Sequence, residues 1–168
     1  MRKVLALLAV SAVAVVAVIA PTAGAAKQAN KDIVTTAVAA DQFKTLASLL
    51  TKAGLVTTLQ SKGPFTVFAP TDAAFAKVPK ATLAKLGANP ALLKKVLLYH
   101  VVSGKVPAGT VVTLNGKSAK TVNGAAVKIS VKGGKVYLNG STLVTKTDIK
   151  ASNGIIHVIN KVLLPPTS

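Results

Sequence analysis

The chain has 168 residues, a mass of 17.0 kDa and a formal net charge of +17. It lacks cysteine, glutamate and tryptophan, and its carboxylate side chains are Asp32, Asp41, Asp72 and Asp148. This excludes a disulfide framework, thiolate metal sites and a cysteine nucleophile. With only His100 and His157 added to the catalytic stock, the composition argues against an enzyme, and no cofactor is expected.

The positive charge comes from 20 lysines and one arginine, Arg2. Readers of base sequence favour arginine forks and stacking aromatics, which orient phosphates and bases. Lysine is a hydrated point charge on a flexible stem. The composition therefore predicts general attraction to polyanions and no specific nucleic-acid partner.

Residues 1–25 read as a cleaved signal peptide. Arg2-Lys3 begins it, Val4 to Ala20 is apolar apart from Ser11, and Ala23-Gly24-Ala25 offers a small-residue cleavage site. This stretch of seventeen residues falls short of the ~20 that span a bilayer. No stable membrane anchor is expected after cleavage. The expected location is secreted and extracellular, or periplasmic and associated with the cell envelope. Residues 26–31 form a short lead-in, and 32–166 form one domain. The mature chain keeps nineteen lysines against four aspartates, or 19 − 4 = +15.

From Asp32 to about His100 the periodicity predicts helices. Asp32 is placed to cap Ile33–Ala39. Phe43, Leu46, Leu49, Leu50 and Ala53 form one apolar stripe, with Gly54 as its terminator. Gly63-Pro64 breaks the pattern, and Phe65 to Phe68 reads as a strand that joins the sheet from within the helical half. Thr71 or Asp72 caps the next helix, which holds Phe75. Asn89-Pro90 opens another, with Leu92, Leu93, Val96, Leu97 and His100 on one face.

From Val101 onward the chain reads as β. Asn-Gly pairs at 115–116, 123–124, 139–140 and 153–154, with Gly133-Gly134 between them, predict hairpins. Val127, Ile129 and Val131 alternate with Lys128, Ser130 and Lys132, giving a buried and a wet face. Ile155 to Leu164 reads as the most apolar, central strand. Helices followed by hairpins define an α+β fold, with an antiparallel meander in its second half.

Three blocks carry a family resemblance. Gly63 to Phe75 (GPFTVFAPTDAAF) resembles the first signature of the fasciclin (FAS1) domain. Leu97 to Val102 (LLYHVV) resembles its central Tyr-His block, and Asn153 to Pro165 (NGIIHVINKVLLP) its closing signature. The likeness runs over residues 31–166 and is to the secreted, single-domain bacterial type. It implies a wedge of short β-strands capped by a helical bundle, a role in extracellular adhesion or matrix binding, and no catalysis.

In some animal fasciclin proteins an Asp-Ile pair before the closing signature is implicated in integrin binding. Asp148-Ile149 matches that pair, while Thr147 and Lys150 depart from the flanking Pro and Met. Tyr99 and His100 carry a similar adhesion role by resemblance. The residues themselves offer a structural reading beside this one. Asp148 caps a turn and Ile149 fills the core. His100 is a hydrogen-bonded hinge between helix and strand, and His157 a satisfied core histidine. Thr71, Asp72, Asn153 and Gly154 serve as caps and turn residues. The histidines and aspartates match no metal-ligand spacing. Gly116-Lys117-Ser118 resembles the end of a phosphate loop, but position 111, where its first glycine belongs, is Val111.

The function predicted from the sequence is a monomeric, non-catalytic adhesion or envelope-interaction module. Its expected partners are acidic polysaccharide, cell-wall polymer or a cell-surface protein. Lysines spread along the chain predict similar binding to any polyanion, with no single residue decisive. The alternative is a small-ligand, lipid-like carrier with a pocket between helices and sheet.

Overall fold

A computed structural model describes residues 31–166; the predicted signal peptide and most of the lead-in lie outside them. Six helices carry the first half: α1 (Ile33–Val38), α2 (Lys44–Lys52), α3 (Val56–Gln60), α4 (Asp72–Ala76), α5 (Lys80–Ala88) and α6 (Pro90–Tyr99). Strand β1 (Phe65–Pro70) interrupts them. Then follow β2 (Val101–Ser103), α7 (Ala108–Thr113), β3 (Ser118–Lys120), β4 (Ala126–Lys132), β5 (Lys135–Leu138), β6 (Thr142–Ala151) and β7 (Gly154–Ile159). The α+β architecture matches the sequence reading.

The caps form where the sequence placed them. Asp32 accepts from the Thr35 amide at 2.7 Å, and Asn89 from the Leu92 amide at 3.1 Å with Pro90 opening the helix. Gly54, at φ +65°, ends the stripe that buries Leu46 and Leu50. On α6, Leu93, Val96 and Leu97 are buried, but Leu92 faces solvent, one step round the helix from the expected stripe.

The sheet has seven strands in the order β2-β1-β7-β6-β5-β4-β3. Its ends meet: Val102 bridges Thr121, and the Val122 amide donates to the Val101 carbonyl at 2.7 Å. The result is a nearly closed, barrel-like wedge, which protects both short edge strands. Five strand pairs are antiparallel, but β1 and β7 run parallel, from Phe65↔Gly154 to Pro70↔Ile159. The sheet is therefore mixed rather than wholly antiparallel. Hairpin signals define only local pairs; β1 and β7 are separated by about half of the chain.

Two hydrophobic clusters lie on opposite faces of this pair. On one face Val67, Ala69, Ile156 and Val158 pack against Leu46, Leu50, Leu93 and Leu97 of the helices. On the other, Phe68 and Ile159 pack inside the barrel with Val127, Ile129 and Leu138. Both strands are buried on both faces, which explains their unbroken apolar runs.

Three further expectations are corrected. The β-rich half contains α7, whose Val111 enters the barrel core. Asn115-Gly116 ends that helix region instead of turning a hairpin, and Asn115 Oδ1 accepts from the Val131 amide at 2.8 Å. The last strand stops at Ile159, leaving Leu164 exposed. Gly133 and Gly134, both at positive φ, make the two-residue turn between β4 and β5 as predicted.

The closest backbone approach lies at the start of β7. A Cβ on Gly154 would collide with the Phe65 carbonyl oxygen and lie 2.8 Å from Ile33 Cδ1. Gly154→Ala is expected to lower unfolding free energy by more than about 3 kcal/mol, because both obstacles sit in packed structure. Gly54→Ala, strained only by its positive φ with nothing within 4 Å, is expected to cost about 1 kcal/mol. Urea melts read by circular dichroism and tyrosine fluorescence check both values. Similar losses for the two variants would refute the close-packing account.

Candidate functional site

The sequence nominated two groups of residues, one for adhesion and one for structure. The fold distributes them around the ends of β1 and β7.

His100 is the C-cap of α6 and leads directly into β2. It is 2% exposed. Its Nδ1–H donates to the Val96 carbonyl at 2.8 Å, and Nε2 accepts from the Leu163 amide at 2.9 Å. Its own carbonyl accepts from the Phe68 amide at 2.8 Å. One residue thus joins α6, β1 and the segment after β7. This is the predicted hinge, and the two partners require the neutral ring.

Tyr99 points into the barrel core and is 1% exposed. Its hydroxyl donates to the Ala126 carbonyl at 3.2 Å and accepts from Asn139 Nδ2 at 3.0 Å. The Tyr-His block is therefore interior, with its polar atoms already paired within the chain. Adhesion through Tyr99 and His100 would require a partner to reach the core.

Asp148 lies within β6 at a register irregularity, with φ +58°. Its Oδ1 accepts from the Ala108 amide at 2.9 Å, at the first turn of α7. Pro107, in the N-cap position, supplies no side-chain cap, so Asp148 provides one from another strand. Ile149 pairs with Ile156 and packs against the helical core. Of the four adhesion candidates, only Asp148 is exposed.

Asp148 belongs to a set of side chains that fasten the loop before α7. Thr66 Oγ1 donates to the Gly104 carbonyl at 2.7 Å and accepts from the Val106 amide at 2.8 Å. His157 donates from Nε2 to the Val106 carbonyl at 2.8 Å. Its Nδ1 accepts from the Asp148 amide at 3.4 Å, and its ring stacks on Phe68 at 5.6 Å. At 1% exposure it is the satisfied core histidine that the sequence predicted. His157 carries its proton on Nε2 and His100 on Nδ1, each fixed by a backbone carbonyl.

The remaining motif residues are also structural. Thr71 Oγ1 caps α4 by accepting from the Ala74 amide at 3.2 Å. Asp72 reaches across to α2, accepting from the Thr45 amide at 2.8 Å. Burial pushes the Asp72 carboxyl up, but hydrogen bonds from Thr45 and Lys44, with the Lys44 charge, outweigh it and leave the pKa lowered. Asn153 Oδ1 accepts from the Ile33 amide at 3.0 Å, and its Nδ2 donates to the Leu59 and Ser61 carbonyls. The sequence marked Asn153 only as a turn residue. Its tie to two helices, more than 90 positions away, has no local signature.

Among the described residues no group of three or more His, Cys, Asp or Glu side chains could hold a metal ion. Apolar side chains of the helices and of β1 and β7 line the space between helices and sheet. A groove of about 530 Å³ opens at the surface beside Asn153, between Lys62 and Lys105. No helix among the described residues is long and apolar enough to cross a membrane.

A helix-capped, seven-stranded wedge with its signature residues buried at the strand–helix junctions defines a FAS1-type structural module. The fasciclin domain family model matches residues 41–165. Protein sll1483 of Synechocystis is 44% identical over 144 residues, covering 84% of this chain and 78% of that protein. The pig transforming growth factor-beta-induced protein ig-h3 is 31% identical over 128 residues, covering 76% of this chain and 18% of that one. A solved FAS1 domain pair from the insect cell adhesion molecule Fasciclin I superposes with a TM-score of 0.65 at 18% identity, covering 80% of this chain and 51% of that chain. The chain belongs to the fasciclin domain family.

Two outcomes follow for these residues. Asp148→Ala is expected to cost about 1–2 kcal/mol in a urea melt, through loss of a cap and a strained backbone, while Asp148→Asn keeps the acceptor and costs less. Equal losses would show that the cap is not what Asp148 supplies. The second outcome concerns pH. Burial pushes His100 down to about 4, and burial likewise lowers His157 against smaller upward effects of the Val106 hydrogen bond and Asp148. Below pH 6.5 the unfolded chain takes up protons that the native chain refuses. Stability is therefore full above 6.5 and falls as pH drops toward 4, with His100 contributing on the order of 3 kcal/mol across that window. Melts from pH 7.5 to 4 should show this slope, and His100→Gln should flatten it.

Proposed function

We propose that this chain is an exported, non-catalytic adhesion module of the cell surface or envelope, which holds acidic polymers through unpaired lysines. Family membership supports the adhesion-type role, and Fasciclin I is itself named as a cell adhesion molecule. One observation carries the choice of partner. Three of its four carboxylates are engaged with backbone amides: Asp32 caps α1, Asp72 caps α2 and Asp148 caps α7. The fourth, Asp41, forms the only salt bridge among the described residues, to Lys44 at 3.7 Å across an exposed surface.

The acidic side chains therefore neutralise helix N-termini and leave the lysines to solvent. The field at the surface is cationic nearly throughout, and it draws polyanions from solution. Acidic polysaccharide or anionic wall polymer fits such a surface, as does an acidic patch on a cell-surface protein. Attraction between exposed charges is screened over ~8 Å at physiological ionic strength.

The mature protein is expected to bind immobilised heparin, as a model acidic polysaccharide, at low salt and to elute progressively as sodium chloride rises. Failure to bind at low salt would refute the proposal. Retention unchanged in high salt would refute its charge-driven mechanism.

A further inference from the structure

Four of the lysines share one face of the sheet. The helices shield the outer side of β1 and β7, whereas on the outer side of β3–β5 the lysines are exposed and the Ser130 hydroxyl between them is buried. The inward positions of those strands are Ala119, Val127, Ile129, Val136 and Leu138, all in the barrel core. The outward positions bring Lys120, Lys128, Lys132 and Lys135 around Ser130 and Tyr137. No carboxylate stands among them. The one aspartate in the β-rich half, Asp148, is held by the Ala108 amide.

One pairing on this face works against stability. Lys132 and Lys135 are direct cross-strand partners beside the Gly133-Gly134 turn. Like charges directly opposed in a sheet are destabilising, and no acidic side chain bridges them. A local rule broken without compensation points to function. Lys128 and Lys132 stand roughly 13 Å apart along one strand, and neighbouring strands are ~4.8 Å apart. The charges thus form a regular array on the outside of the wedge, with the half-buried Tyr137 beside them.

We propose that the outward face of β3–β5 is the docking surface for one extended acidic polysaccharide chain. This rests on the polyanion reading above and locates it. Four flexible ammonium groups suit a linear series of carboxylates or sulfates, whose exact orientation need not be fixed. The tyrosine, with its apolar body and polar tip, matches the mixed C–H and hydroxyl surface of a sugar ring. The face has no arginine, whose planar fork orients phosphates and bases bidentately.

The test compares two variants of the mature protein that lose the same charge. One is Lys120→Gln, Lys128→Gln, Lys132→Gln and Lys135→Gln together. The other removes Lys80, Lys85, Lys94 and Lys95 from α5 and α6 in the same way. All eight positions are exposed, and circular dichroism checks that both variants fold. Heparin affinity at low salt should fall about a hundredfold in the sheet variant and about tenfold or less in the helix variant. Equal losses would overturn the docking face while leaving charge-driven binding intact. A wild type that does not bind heparin would overturn the function proposed above as well. Lys132→Gln alone should raise the melting temperature while weakening binding, since it relieves the opposed pair; a lowered melting temperature would contradict the functional account of that pair. Tyr137→Ser should weaken heparin binding without changing its salt dependence. Duplex DNA bound as tightly as heparin, and weakened equally by Tyr137→Ser, would overturn the assignment to polysaccharide.

Discussion

The parallel contact between β1 and β7 is the constraint on which the rest of the molecule depends. These two strands separate the helical core from the barrel core and contribute side chains to both. Their closeness at the Gly154 end requires residues without a Cβ. Gly154 faces the Phe65 carbonyl, and a Cβ on Gly63 would collide with the Asn153 carbonyl. Asn153 converts this approach into a three-way joint, because its side chain also holds the start of α1 and the end of α3. The two cores are coupled through one backbone pair, so disturbing it disturbs both.

Buried polar side chains complete that frame. His100 and His157 both act as neutral bridges between backbone groups, with opposite tautomers set by opposite donors and acceptors. An unpaired backbone amide or carbonyl in the interior is costly, and here a ring nitrogen satisfies it. Thr66, His157 and Asp148 together hold the turn that leads into α7. The signature residues of this family therefore mark junctions where chain segments without regular pairing must still satisfy their hydrogen bonds.

The scarcity of carboxylates links stability to surface chemistry. Each aspartate engaged at a helix N-terminus stabilises the fold locally and is withdrawn from pairing with lysine. The surface is cationic because twenty lysines outnumber four aspartates, and the alternation of β3–β5 gathers part of that charge on one face.

The sequence by itself determined the elements that local chemistry controls. Asp32 and Asn89 announced helix starts, Gly54 a helix end, Gly133-Gly134 a hairpin, and Val127 and Ile129 the inner face of a strand. The three signature blocks determined the family and the α+β class. The parallel pairing of β1 with β7 was decided only in three dimensions, since no local spacing encodes a contact between residues some 90 positions apart. The same holds for Asp72, whose partner lies on α2 rather than its own helix, and for Asp148, which caps α7 from β6. Helix α7 escaped notice because six residues rich in valine and threonine carry a β-like composition, and its cap comes from a distant strand. Composition counted the lysines, but only the pleat and register of the closed sheet decided which of them stand together.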